Sequence, residues 1–150
     1  MGKLQLGTAR LEQCRHPEAL AARRRFTQLG EPTSVATAWH QTGMAYEGLG
    51  QPAEAEAAYR EALAIRVRLG NAAGQAATLL QLGLLYNNRL ERPEEAVAFY
   101  RQAADKYVEL GDAAKEGVVH SNLAETLRGL RRPAEAREAI QRAIHCRATE

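Results

Sequence analysis

The sequence predicts one all-α domain, built as a solenoid of antiparallel helix hairpins. One phrase occurs three times, as QPAEAEAAYREALAIRVRLGN, RPEEAVAFYRQAADKYVELGD and RPAEAREAIQRAIHCRATE. Its prolines, Pro52, Pro93 and Pro133, lie 41 and 40 residues apart, which is a period typical of stacked helix pairs. The composition agrees, because alanine is abundant and aromatic residues make up only 5%.

The second helix of each pair is expected to begin at the proline of the phrase, because the first helical position does not need the N–H that proline lacks. Glutamates follow in the first turn, where the helix dipole favours negative charge: Glu54, Glu94, Glu95 and Glu135. Gly70 and Gly111 are expected to end these helices in a left-handed conformation. Asn71 and Asp112 follow them and can cap the next helix.

The first helix of each pair is predicted over about 32–49, 72–89 and 113–130. Upstream, residues 17–29 have the apolar spacing of a shorter second helix, with 3–15 as its partner. An extra residue in YNNRLERP, compared with YEGLGQP, is assigned to a turn.

The domain, 1–150, is therefore divided into four parts. A degenerate or partial repeat covers 1–30, and two full repeats cover 31–70 and 71–111. The last repeat, 112–150, has no clear capping helix, so its apolar residues are expected to keep an exposed side.

Seven positions recur in each of the three repeats that follow residue 30. They are Trp39, Thr42, Gly43, Tyr46, Ala55, Tyr59 and Ala62 in the first, Leu79, Leu82, Gly83, Tyr86, Ala96, Tyr100 and Ala103 in the second, and His120, Leu123, Ala124, Leu127, Ala136, Ile140 and Ala143 in the third. This pattern resembles the tetratricopeptide repeat, with Thr42 in place of Leu and His120 in place of Trp. The long period resembles the repeats of kinesin light chain, of Pins-type polarity scaffolds and of bacterial arrays. The resemblance covers roughly 33–148 and implies a right-handed superhelix whose concave groove binds protein segments.

Small residues at three of these positions have a packing role. Gly43, Gly83 and Ala124 are expected to let the two helices of a hairpin approach closely. Large side chains fill the remaining space: Tyr46, Tyr59, Tyr86 and Tyr100. A single hairpin buries too little apolar surface to offset the loss of chain entropy, which explains why the phrase is repeated.

No catalytic or metal-binding motif stands out. The four histidines form no i,i+4 pair and no cluster with cysteines: His16, His40, His120 and His145. GLGQP at 48–52 lacks the Gly-Lys-Ser/Thr that completes a phosphate loop. The sequence therefore predicts a non-enzymatic protein without cofactor or metal.

Charge and hydropathy restrict the partners. The net charge of +2 is low for a nucleic-acid binder, and no apolar run is long enough to cross a membrane. Cys14 and Cys146 lie near opposite ends, so we expect free thiols and a cytoplasmic protein. The basic clusters 23–25 and Arg128, Arg131 and Arg132 are interpreted as solvated faces, with an acidic peptide partner left open for the second.

The resemblance places a ligand groove along the first helices of the repeats. The positions carried over are Thr37, His40, Gln41, Met44 and Glu47, then Leu80, Gln81, Leu84, Asn87 and Asn88, and then Val118, Ser121, Asn122, Glu125 and Arg128. Gln41, Gln81 and Asn122 fall in one row, and their amides can both donate to and accept from a peptide backbone. The Lys and Asn of the clamp that binds chaperone tails are missing from these positions, which argues against such ligands.

The leading interpretation is a scaffold for protein–protein interaction, with a protein or peptide as its partner. Two alternatives remain open at this stage. The chain can be a regulatory arm of a larger signalling protein, or it can form a homodimer through its uncapped end.

Overall fold

The computed structural model describes residues 31–149, which form six α-helices and no strand within that range. The helices are α1 (Pro32–Gly48), α2 (Pro52–Arg68), α3 (Ala72–Asn88), α4 (Pro93–Leu110), α5 (Ala113–Gly129) and α6 (Pro133–Ala148). The chain separates into two units, Met1–Asn71 and Ala72–Glu150, so α1 and α2 belong to the first unit and α3 to α6 to the second. The predicted all-α array of hairpins is confirmed here, and the predictions for residues 1–30 lie outside the described residues.

The helix ends lie where the prolines and glycines predict them. Proline is the first residue of α1, α2, α4 and α6. Gly70 and Gly111 have the left-handed φ values expected after α2 and α4, +66° and +67°. Asp112 caps α5, because its side chain accepts a hydrogen bond from the backbone N–H of Lys115 at 3.1 Å.

The turn between the helices of each hairpin contains a left-handed residue. In the α1–α2 turn this residue is Gly50, with φ of +72°. The α3–α4 turn takes up the extra residue of the second repeat, as predicted, with Glu91 at φ of +53°. Arg131 has φ of +60° in the α5–α6 turn. The sequence analysis missed these two non-glycine residues, whose left-handed conformation is less favourable than that of glycine.

The hairpin of the first unit closes at Gly43. A methyl group added to this glycine would lie 2.5 Å from Cε1 of Tyr59, so any side chain would force the helices apart. Trp39, Tyr46 and Tyr59 fill the rest of this core and are all buried. The predicted close approach is confirmed.

In the second unit, α3 packs on α4, α4 on α5 and α5 on α6. Gly83 repeats the close contact, since an added methyl group would lie 2.7 Å from the Tyr100 ring. Ala124 and Ile140 hold the corresponding positions in α5 and α6. There the smaller isoleucine replaces the tyrosine, which is compatible with the additional carbon of alanine.

The α5–α6 hairpin contains an ion pair between a buried carboxylate and a half-exposed arginine, which was not predicted from the sequence. Glu116 is only 6% exposed and accepts hydrogen bonds from Nε of Arg142 at 2.7 Å and from Nε2 of His120 at 3.2 Å. Burial alone would raise the pKa of Glu116, but the hydrogen bonds from Arg142 and Cys146 outweigh it and hold this pKa below its usual value. Burial lowers the pKa of His120.

Candidate functional site

In the first unit, the predicted groove positions lie along α1. Thr37, Gln41 and Met44 are exposed, while His40 and Glu47 are half-buried. None of the five is buried in the core, so each side chain keeps some surface that solvent can reach.

The two half-buried members are held by contacts to α2. Tyr59 donates a hydrogen bond from its hydroxyl to Oε1 of Glu47 at 2.6 Å. Burial raises the pKa of Tyr59, and the acceptance of this bond by Glu47 raises it further. The Glu47 carboxylate is therefore fixed in position by a buried phenol.

His40 lies between Tyr59 and Arg66. Its ring centroid is 5.4 Å from that of Tyr59, and Nη1 of Arg66 lies 3.3 Å from its Nδ1. Because a guanidinium can only donate, Nδ1 of His40 is the acceptor. Burial, followed by the charge of Arg66, lowers the pKa of His40 to about 4, so the ring is neutral at pH 7.

In the second unit, a concave surface of about 400 Å³ lies between α3 and α5, above α4. We call it the central depression. It is lined by Leu84, Asn87, Asn88, Pro93, Tyr100, Asn122, Glu125, Thr126 and Gly129. Five of these are predicted groove residues: Leu84, Asn87, Asn88, Asn122 and Glu125. Half of the ten positions carried over to this unit from the family resemblance thus lie on one surface.

The floor of the central depression is formed by a buried tyrosine. Tyr100 is 1% exposed, and burial raises its pKa to about 12. Thr126, which lies close enough to Tyr100 to oppose the effect of burial on its pKa, donates from Oγ1 to the backbone oxygen of Asn122 at 3.0 Å. Neither residue was predicted to line a groove, because Tyr100 was assigned to the core of its hairpin and Thr126 was given no role.

Two of the carboxamides at the rim of the central depression are held by a hydrogen bond between them. Asn87 donates from Nδ2 to Oδ1 of Asn88 at 3.0 Å, which fixes the two amides relative to each other. Gln81 and Leu80 are half-buried on α3 but do not line the central depression. The predicted row of Gln81 and Asn122 is therefore represented in this depression by Asn122 alone.

A second concave surface, about 270 Å³ in volume, lies on the α5–α6 hairpin, and we call it the terminal depression. It is lined by Ser121, Ala124, Glu125, Arg128, Ile140, Ala143, Ile144 and Arg147. Ser121 and Arg128 were predicted as groove residues and lie here, whereas Val118 is exposed and lines neither depression. A further depression in the first unit, about 270 Å³, contains no predicted groove residue.

The basic cluster of the third repeat does not form one patch. Arg132 donates to Glu135 at 2.6 Å and to Glu94 at 3.0 Å, so its charge is neutralised. Arg128 borders the terminal depression, and Arg131 is exposed in the turn. The cluster 23–25 lies outside the described residues.

Within residues 31–149, no group of three or more His, Cys, Asp or Glu side chains is arranged to hold a metal ion. None of the helices formed by these residues combines the length and apolarity needed to cross a membrane. Cys146 is buried on α6, and Cys14 lies outside the described range.

The sequence profile of the tetratricopeptide repeat matches residues 3–68, 34–107 and 74–147. The chain belongs to the tetratricopeptide repeat family. Proteins of this repeat family are in general scaffolds for protein–protein interaction and are typically non-enzymatic. No curated protein sequence matches this chain significantly.

Two solved structures share the fold of this tetratricopeptide repeat protein. BtubC (BKLC) from P. vanneervenii superimposes with a TM-score of 0.77 at 23% identity over 94% of this chain. MamA superimposes with a TM-score of 0.69 at 19% identity over 98%. This chain spans 58% of the BtubC chain and 77% of the MamA chain, and at these identities the similarity concerns the fold alone.

Proposed function

We propose that this tetratricopeptide repeat protein is a scaffold that binds an extended protein segment in the central depression of its second unit. The convergence of five predicted groove residues on one concave surface carries this proposal. The first unit contributes its own groove positions along α1, which remain a prediction. The cytoplasmic location expected from the sequence also stays a prediction.

The chemistry of the central depression suits a peptide backbone. Asn87, Asn88 and Asn122 present carboxamides, and each carboxamide can donate to a carbonyl and accept from an N–H of the ligand. Half-buried Leu84 offers an apolar contact beside them. Side-chain pockets next to a row of backbone partners are the combination by which extended segments are held.

The order of the site favours binding. Tyr100 is buried, Thr126 is bonded to the backbone of its own helix and Asn87 donates to Asn88, so we expect the protein to lose little freedom when a ligand binds. Most of the entropy loss then falls on the segment that binds.

The proposal is tested by measuring the affinity of a segment captured on a peptide array. The double variant Asn88→Ala, Asn122→Ala should bind at least about tenfold more weakly, because it removes two amide partners from the rim. Gln102→Ala is the matched control, since Gln102 is an exposed amide on α4 outside the depression. Equal affinity of the double variant and the wild type contradicts the proposal.

A further variant tests whether the ligand is held by the central depression or by the predicted row of Gln41, Gln81 and Asn122. Gln81→Ala removes an amide that belongs to the row but does not line the central depression. We expect its affinity to match that of Gln102→Ala. If Gln81→Ala weakens binding as much as the double variant, then the row and not the depression holds the ligand.

A further inference from the structure

The last hairpin has an open apolar face. Ile140 and Ile144 on α6 are 40% and 60% exposed, and both line the terminal depression together with the small residues Ala124 and Ala143. Exposed isoleucines grouped over small residues form a surface suited to contact with another apolar surface.

The preceding hairpin shows what kind of element covers such a face. Tyr100 and Ala104 on α4 occupy the positions that Ile140 and Ile144 occupy on α6, 40 residues later. Both are buried, at 1% and 4% exposure, and α5 packs on α4. Helix α5 runs back along α4, because only Gly111 and Asp112 separate these two helices and they pack on each other. A helix is therefore the element that fits this face.

The charges around the terminal depression specify the chemistry of that helix. Arg147 stands at the position of Tyr107, whose pKa is raised by burial and then by the nearby Asp112 carboxylate. A helix placed on α6 as α5 is placed on α4 would begin beside Arg147. An acidic residue there would pair with the guanidinium and would also suit the positive end of the helix dipole.

Arg128 would likewise favour an acidic residue near the other end of such a helix. It stands at the position of Asn87, which lines the central depression together with Glu125 of α5. Arg128 and Arg147 form no ion pair with any residue of the range 31–149. Glu125 also borders the terminal depression, so its rim carries two positive charges and one negative charge.

We propose that the terminal depression docks an acidic amphipathic helix of a second protein, antiparallel to α6. Its apolar stripe covers Ile140 and Ile144. One acidic residue near its start pairs with Arg147, and another, about 13 residues or ~20 Å further along, pairs with Arg128. This surface is separate from the peptide site proposed above, although Glu125 borders both.

Charge argues against the N-terminal segment of a second copy of this chain as the occupant. Its N-terminal thirty residues carry more positive than negative charges: Lys3, Arg10, Arg15, Arg23, Arg24 and Arg25 against Glu12 and Glu18. A segment of that composition would place like charges beside Arg128 and Arg147, which weakens association. The homodimer, which the sequence left open as an alternative, is an outcome that contradicts this proposal.

The probe is a labelled peptide with the sequence of residues 112–129, in which Lys115→Gln and Arg128→Gln make it acidic. Helix α5 is the natural template, because it already covers the corresponding face of α4. The control peptide carries Asp112→Asn and Glu125→Gln in addition. Binding of both peptides to the full chain is followed by fluorescence anisotropy at low ionic strength and again at high ionic strength.

We expect the acidic peptide to bind, with at least about fivefold higher affinity than the control peptide at low salt. The chain variant Arg128→Glu, Arg147→Glu should lose about tenfold in affinity for the acidic peptide. Arg137→Glu, an exposed position on α6 outside the depression, should lose none. Ile144→Asp should abolish binding of both peptides while the circular dichroism spectrum stays unchanged.

Three results overturn the proposal. One is that the acidic peptide does not bind at ~1 mM, and another is that both peptides bind alike. The third is a species of twice the mass of the chain that Ile144→Asp converts to monomer, because a second copy then occupies the face. All three results leave the affinity of the Asn88→Ala, Asn122→Ala variant for its segment unaffected, so the two proposals fail independently.

Discussion

The two hairpins of the second unit are built from one repeated phrase, yet they present different surfaces. In α3–α4 the aromatic position of the repeat is Tyr100, which is 1% exposed beneath α5. In α5–α6 the same position is Ile140, which is 40% exposed. Tyr100, which α5 covers, can therefore serve as both core and floor of a site, while Ile140 lies at the surface of the described residues.

The interior of the two hairpins differs as well. Gln75 of α3 and Glu116 of α5 occupy the same position, and both are buried. Glu116 is charged and is satisfied by Arg142 of α6, whereas Gln102 stands at the position of Arg142 in α4. The terminal hairpin is thus held together in part by an ion pair that the covered hairpin does not have at these positions.

The largest expected difference in stability is between variants of Tyr100, which α5 covers, and of Ile140, which is exposed. Tyr100→Ala should lower the free energy of unfolding by about 3–5 kcal/mol, because it leaves a cavity between α3, α4 and α5. Ile140→Ala should lower it by less than about 1 kcal/mol, because water already reaches this side chain. Urea denaturation of both variants provides the measurement, and similar losses for the two would break the comparison.

The next effect concerns the small residue opposite the tyrosine. Gly83→Ala should destabilise the chain by about 1–3 kcal/mol, because the added carbon would overlap the Tyr100 ring. Adding Tyr100→Ile, which reproduces the pair in α5–α6, should cost less than the sum of the two single changes. Gly129→Ala is the control, because a methyl group there meets no atom within 4 Å. Strict additivity in the double variant would count against the pairing of small and large residues.

The smallest effect tests the ion pair of the terminal hairpin. Arg142→Ala should cost about 1 kcal/mol at pH 7, near the low end for a charged hydrogen bond because the Arg142 side chain is 47% exposed. The pKa of Glu116 is lowered in the folded protein, so the stabilisation is present above its ordinary pKa and is lost as the pH falls through the folded value. Burial also lowers the pKa of His120 from its ordinary value of 6.5. The stability that comes from its neutral form is likewise lost as the pH falls through the lowered pKa.

Thermal unfolding at pH 7 and at pH 4 checks this prediction. The difference in melting temperature between the wild type and Arg142→Ala should be smaller at pH 4 than at pH 7. Gln102→Ala, at the corresponding position of α4, should match the wild type at both values. A difference that grows on acidification would mean that Glu116 gains no stabilisation from its charged form.

Most of the fold could be predicted from local chemistry. Pro93 and Gly111 set the bounds of α4, and Gly83 indicates where a tyrosine approaches, because each of these residues acts within its own turn or hairpin. The ion pair of Glu116 could not be predicted, because its partner is 26 residues away and the burial of a carboxylate depends on packing. Arg131 was missed for a related reason, since a left-handed arginine leaves no local signal.

The site was predicted in part. The family positions located Leu84, Asn88 and Asn122 on one surface, but they could not reveal that Tyr100 forms its floor. The terminal depression was also missed, because Arg128 and Arg147 lie on different helices and border one surface only when α5 packs on α6.

A titration of the isotope-labelled chain with a captured protein segment, followed by backbone amide chemical shifts, tests the central claim most directly. We expect the largest shift changes at Leu84, Asn88, Asn122 and Glu125, with Gln102 unaffected. Binding that leaves all four of those amides unchanged would contradict it.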